Sequence, residues 1–123
     1  MSKKILIVED NKLNMMLMHD IATKICDEVV QSDGSADILA LVKRSSPDLI
    51  LMDIQLPGIK NGDEWIEILK ADDKLTSIPI IAVTAFAMKG DRDHIINCGS
   101  NDYVVKPINV KSFMSLLTHY LGD

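Results

Sequence analysis

Aromatic residues are scarce in this chain: one Trp, two Tyr and two Phe among 123 residues. Lys and Arg (13) are outnumbered by Asp and Glu (18), for a net charge of −5. A nucleic-acid-binding surface needs a basic stripe, commonly with stacking rings, and neither is present. Direct contact with nucleic acid is therefore not expected. Cysteine is equally sparse. Cys26 and Cys98 form neither a disulfide framework nor a CxxC metal motif, and read as two reduced thiols of a cytosolic protein. No apolar run approaches the roughly 18 residues of a membrane span, and Lys3-Lys4 followed by four apolar residues is too short for a signal peptide. No repeat, linker or low-complexity segment interrupts the chain, so residues 1–123 are expected to form one domain.

What is present is a series of short apolar runs with polar ends. Ile5–Val8 leads into Glu9-Asp10, Leu49–Met52 into Asp53, Ile80–Val83 into Thr84, and Tyr103–Val105 into Lys106-Pro107. Continuous Ile/Val-rich runs of this length read as parallel strands buried on both faces. A shorter run, Val29-Val30, marks one more strand. Between the strands lie amphipathic segments. The first has Leu13, Leu17, Ile21 and Ile25 on a stripe widened by Met18 and Ala22, with Asn11 as N-cap. The second opens at Gly34, carries Ile38, Leu39, Leu41 and Val42, and closes at Ser45-Ser46-Pro47. The third carries Trp65, Ile66, Ile68 and Leu69, and the fourth runs from near Asp91 to Gly99. The last has Val110, Phe113, Met114, Leu117 and Leu121 on one stripe. Alternation of this kind predicts an α/β fold: a flavodoxin-like (βα)5 three-layer sandwich with right-handed crossovers.

Ligands of open α/β sheets bind beyond the carboxyl ends of the strands. The four polar endings would thus meet at one rim. Glu9, Asp10 and Asp53 would repel one another unless a cation or shifted pKa values relieved them. A hard dication such as Mg²⁺ suits oxygen ligands and retains room for phosphate. Asp53 is the candidate nucleophile, since carboxylates form aspartyl-phosphate intermediates, and Lys106 and Thr84 can contact phosphoryl oxygens. Solvated carboxylates at loop starts are the bland alternative. It suffices for Glu9-Asp10 taken alone, but not for the whole constellation.

The set Glu9-Asp10, Asp53, Thr84-Ala85 and Lys106-Pro107 resembles the receiver domain of two-component response regulators, over essentially the whole chain. The stretches Ile7–Asn11, Leu51–Pro57 and Thr84–Asp91 are closer still to one subgroup, single-domain regulators of alphaproteobacterial cell division and polarity. The resemblance implies a sheet of order 2-1-3-4-5 and Asp53 as phosphoacceptor from a histidine kinase or histidine phosphotransferase. It implies Mg²⁺, with Mn²⁺ as an alternative, on Glu9, Asp10, Asp53 and the backbone carbonyl of Gln55. Thr84 and Tyr103 become the switch pair, Lys106 the phosphoryl-contacting cation, and Lys106–Pro107 a cis peptide. The protein would be a cytoplasmic monomer or weak dimer, a phosphoacceptor switch that assists its own phosphorylation and dephosphorylation. It would signal by phosphorylation-dependent protein contacts rather than by turning over external substrates.

Two departures from the family pattern stand out. Four residues, one more than usual, separate Pro57 from Gly62, and the first helix ends Ile25-Cys26-Asp27 without the usual Gly. Two rival functions fit the sequence less well. A haloacid-dehalogenase-type phosphohydrolase would need a second Asp where Gln55 stands, and a cap domain. A partner-binding pseudo-receiver would not need Asp10, Asp53, Thr84 and Lys106 together. His19, His94 and His119 show no metal-site spacing, Trp65 is expected to be half-buried, and the seven Met to be core filler. Pro57 and Pro79 read as trans prolines of a turn and a strand start.

Overall fold

A computed structural model describes residues 3–56, 58, 60–85 and 89–122. Five strands and five helices alternate along the chain. They are β1 (Lys4–Val8), α1 (Lys12–Thr23), β2 (Glu28–Ser32), α2 (Ile38–Ser45) and β3 (Leu49–Asp53), followed by α3 (Gly62–Lys70), β4 (Ile80–Thr84), α4 (Lys89–Asn97), β5 (Asp102–Val105) and α5 (Val110–Leu121). The strands form one parallel sheet in the order β2-β1-β3-β4-β5.

Both faces of the sheet are covered, which is why the central strands β1, β3 and β4 read as unbroken apolar runs. On one face Leu6, Val8, Ile50, Met52, Ile80 and Ala82 pack against Ile38, Leu41 and Val42 of α2, Ile66 and Leu69 of α3, and Ile95 of α4. On the other, Ile5, Ile7, Leu49, Leu51, Ile81 and Val83 meet Met18, Ile21 and Ala22 of α1 and Phe113, Leu117 and Leu121 of α5. Most of these side chains are fully buried, and each such aliphatic contributes roughly 1.5–3 kcal/mol of transfer free energy.

The helix ends carry the expected chemistry with some changes. Asn11 caps α1, its side chain accepting from the Asn14 N–H at 3.0 Å. α2 begins at Ile38 rather than Gly34, because Asp37 is the residue that caps it, accepting from the Ala40 N–H at 3.1 Å. α4 begins at Lys89, slightly before the expected Asp91. Leu13 (77% exposed) and Val110 (46%) fall off the buried stripes: each lies in the first turn of its helix, ahead of the buried residues that begin at Met18 and Phe113. Met16, at 61% exposure, is likewise no core filler, whereas Met18 and Met52 are.

Without a Gly, α1 ends on Lys24 in right-handed geometry, and the Cys26 N–H bonds the Ala22 carbonyl at 3.0 Å before the Asp27 N–H reaches Lys3. α2, by contrast, ends on a left-handed Ser46. Pro79 directly precedes β4, as expected of a strand-start proline. Pro57 lies outside the described residues. No helix among the described residues is long and apolar enough to cross a membrane.

Candidate functional site: a carboxylate cluster at the carboxyl rim

Strand register assembles the site. Val8 pairs with Met52, Asp53 with Val83, and Thr84 with Val105. Glu9, Asp53, Thr84 and Lys106 therefore lie at or one residue beyond the ends of four adjacent strands. The ladder continues past the strands, with the Ile54 N–H bonding the Val83 carbonyl at 3.0 Å and the Lys106 N–H the Thr84 carbonyl at 2.7 Å. The Lys106–Pro107 peptide is cis.

Carboxylate oxygens of Glu9, Asp10 and Asp53 come within 4.8 Å of one another. Glu9 and Asp53 are each 2% exposed, while Asp10 is open to solvent. The Lys106 ammonium sits between the two buried acids, 3.1 Å from Glu9 Oε1 and 3.4 Å from Asp53 Oδ2. Backbone donors serve the remaining oxygens: the Gln55 N–H donates to Asp53 Oδ1 at 3.1 Å, and the Asn11 N–H to Glu9 Oε2 at 3.1 Å. Among the described residues, one ammonium faces three carboxylates, which leaves the cluster short of positive charge. Burial, and then the hydrogen bond and charge of Glu9, push Asp53 up to about 7, against the downward pull of Lys106 and the Gln55 N–H. A dication bound by oxygen ligands fits this donor set, because it relieves the repulsion that raises Asp53.

Gly62 is a part of the site that its role as a loop landmark did not disclose. It opens α3, and its N–H bonds the Ile54 carbonyl at 2.8 Å. A Cβ there would collide with the carbonyl oxygen of Asp53. Only glycine lets α3 close on the backbone of the buried carboxylate. A glycine as first residue of a helix, where propensity disfavours it, is the signal that could have marked it.

Thr84 is fully buried at the end of β4. Tyr103, on the outer strand β5, pairs with Ala82 and lies on the same sheet face, two residues below Thr84. It is half-buried, and the Arg92 guanidinium lies 5.7 Å from its ring centroid. Trp65 is half-buried as expected, with the Lys60 ammonium 5.7 Å from its ring. His94 is exposed, as expected, and bonded to Asp63 at 2.7 Å. His119 is exposed and His19 half-buried.

A doubly wound five-stranded sheet with an acidic cluster, a Thr and a Lys at its carboxyl rim defines a class, and the family comparison agrees. Residues 5–118 match the response regulator receiver domain, and the chain belongs to that family. Among named relatives it is 47% identical to the polar-differentiation response regulator DivK of Brucella anthropi, over 100% of this chain and 99% of that protein. DivK of Brucella ovis is 46% identical over the same shares. A receiver domain of a Pseudomonas aeruginosa sensor histidine kinase, solved with magnesium coordinated in its active-site cleft, is 29% identical with a TM-score of 0.86 and full coverage of both chains.

Proposed function

We propose that this chain is a stand-alone, cytoplasmic response regulator in which Asp53 accepts a phosphoryl group from the phosphohistidine of a histidine kinase or histidine phosphotransferase. The observation that carries the reading is the meeting of Glu9, Asp10 and Asp53 around the Lys106 ammonium. An Asp53 carboxylate oxygen attacks phosphorus, the P–N bond breaks, and the electron pair leaves with the donor imidazole. Lys106 exchanges its carboxylate contacts for phosphoryl oxygens, and the Thr84 hydroxyl donates to one of them. Asp10, Glu9, Asp53 and the Gln55 carbonyl would hold Mg²⁺, or Mn²⁺ in its place; that the P. aeruginosa receiver domain coordinates magnesium in its active-site cleft supports the assignment. When bound, the ion supplies charge neutralisation to the phosphoryl oxygens. Likeness to DivK supports a role in cell polarity or the cell cycle. The same pocket chemistry lets the domain assist its own phosphorylation and dephosphorylation.

Output follows from a coupled switch. The phosphoryl group draws Thr84 toward it, Tyr103 turns inward on the shared face, and the surface of α4, β5 and α5 changes for a protein partner. Two states in equilibrium leave weak partner binding in the unphosphorylated form. Intact-mass measurement with a small phosphodonor tests the whole reading. A stable Mg²⁺-dependent adduct of one phosphoryl group, absent in Asp53→Asn and impaired in Lys106→Arg, is expected. Multiple turnover without an adduct would indicate a phosphohydrolase, and no reaction a pseudo-receiver.

A further inference from the structure

Little apolar contact holds α4 to the sheet. Of its described side chains only Ile95 is buried, while Ile96 is 45% exposed. Polar contacts therefore weigh heavily in placing this helix. His94 Nε2 lies 2.7 Å from Asp63 Oδ2 in the first turn of α3. Arg92 reaches β5 instead, its guanidinium 5.7 Å from the centroid of the Tyr103 ring, within the range of a cation–π contact. Beside Tyr103 in the sheet stands Ala82, whose methyl is the only side-chain group that β4 places between the level of the ring and Thr84 on that face. The ring thus has a cation over it and a small neighbour on the path toward Thr84.

We propose that Arg92 is a positioning residue for Tyr103. Its guanidinium favours the half-exposed placement of the ring and so sets how readily the switch turns when the Asp53 pocket is filled. This rests on the coupled-switch reading above, yet it assigns the bias to a residue outside the phosphoryl pocket. Ring and guanidinium separate when Tyr103 turns toward Thr84, so the contact stabilises the resting state alone. Removing it enlarges the active-like population and tightens binding of anything that prefers that population.

Arg92→Gln removes the cation, whereas Arg92→Lys keeps one, and the residue is exposed, so both variants should fold. With only two tyrosines, ring-¹³C-tyrosine labelling reports Tyr103 directly once Tyr120→Phe assigns the other signal. Beryllofluoride with Mg²⁺ serves as the phosphoryl mimic. In its absence, Arg92→Gln should displace the Tyr103 resonances toward their beryllofluoride-bound position. Beryllofluoride should also bind that variant roughly two- to fivefold more tightly than the wild type, the effect of losing one exposed cation–π contact. Arg92→Lys should restore both readouts. The proposal is overturned if Arg92→Gln matches the wild type in both, or if Arg92→Lys behaves like Arg92→Gln. If beryllofluoride binds the wild type without moving the Tyr103 signal, the coupled switch itself is wrong and the role of Arg92 falls with it. Failure of the wild type to bind beryllofluoride at all would instead refute the phosphoryl pocket, and this proposal with it.

Discussion

An ammonium sits at each rim of the sheet, and the two are treated oppositely. At the amino rim, Lys70 donates to the Thr76 carbonyl (3.2 Å), the Ile78 carbonyl (2.9 Å) and Asn101 Oδ1 (2.8 Å), so each of its three N–H groups has an acceptor. Its stem fills the space above Gly99, which has φ +117° and where a Cβ would come within 2.9 Å of Lys70 Cγ. At the carboxyl rim, Lys106 is the one ammonium among the described residues that Glu9 and Asp53 share, with Asp10 beside them. A charge saturated by neutral acceptors ties loops together and asks for nothing more. A set of carboxylates short of positive charge suits an incoming cation, and on the proposed function a phosphoryl group as well. The difference between the rims is one of electrostatic balance, since both are built by strand register.

The largest effect expected is all-or-none. Asp53→Asn should abolish the phosphoryl adduct seen by intact mass, while Lys70→Met, which leaves the carboxyl rim intact, should leave labelling per folded molecule unchanged. Equal labelling of Asp53→Asn and the wild type would remove the functional contrast between the rims.

Lys70→Met should in turn cost about 3 kcal/mol of stability in urea unfolding. It removes three hydrogen bonds from a charged donor, one part-buried and two exposed, and such bonds contribute about 1.5–3 kcal/mol each before water competes for the acceptors. A cost below about 0.5 kcal/mol would show that water replaces the ammonium freely and that the amino rim is not held by this charge.

The carboxyl rim was much the more legible of the two in sequence. Strands buried on both faces leave unbroken apolar runs, so Glu9, Asp53, Thr84 and Lys106 announced themselves as the residues where those runs stop. Lys70 carried no such mark, because two of its acceptors are backbone carbonyls, which no residue type advertises, and the third, Asn101, lies 31 residues away. Gly62 and Arg92 were hidden for the same reason: one matters through approach to the Asp53 backbone, the other through a ring on another element. Leu13 is exposed although it sits on the predicted stripe, because spacing gives the stripe of a helix but not where along it the core begins. Gly34 reads in sequence as a helix start, yet the chain needs it in the turn before Asp37, at φ +89° beneath Leu56.

Mg²⁺ should sharpen the contrast, since the proposed metal site lies at the carboxyl rim. At one hundred times its Kd, a ligand binding the native state alone adds about 2.7 kcal/mol. Differential scanning calorimetry should show that gain in the wild type and in Lys70→Met, and little of it in Asp10→Asn. The same melting temperature for the wild type in EDTA and in millimolar Mg²⁺ would refute the metal site.

The smallest effect expected is a pH dependence confined to the carboxyl rim. Asp53 is raised from an unfolded value of 3.8 to about 7 by burial and by Glu9. Between these values the native state holds a proton that the unfolded chain has released. Stability supplied by that proton is fully present below about 4 and is lost as pH rises through about 7. In metal-free buffer the unfolding free energy should therefore fall by about 1 kcal/mol per pH unit between pH 5 and 7, near the limit of 1.4 kcal/mol per unit for one proton. Asp53→Asn removes the titrating group and should flatten this slope, and Lys70→Met should leave it in place. Mg²⁺ competes with the proton for the same oxygens, so its stabilisation should grow over the interval in which the metal-free protein weakens. Urea midpoints at pH 5, 6 and 7, with EDTA and with Mg²⁺, measure all of this. A metal-free slope that rises with pH, or one that survives in Asp53→Asn, would place the uncompensated charge somewhere other than Asp53.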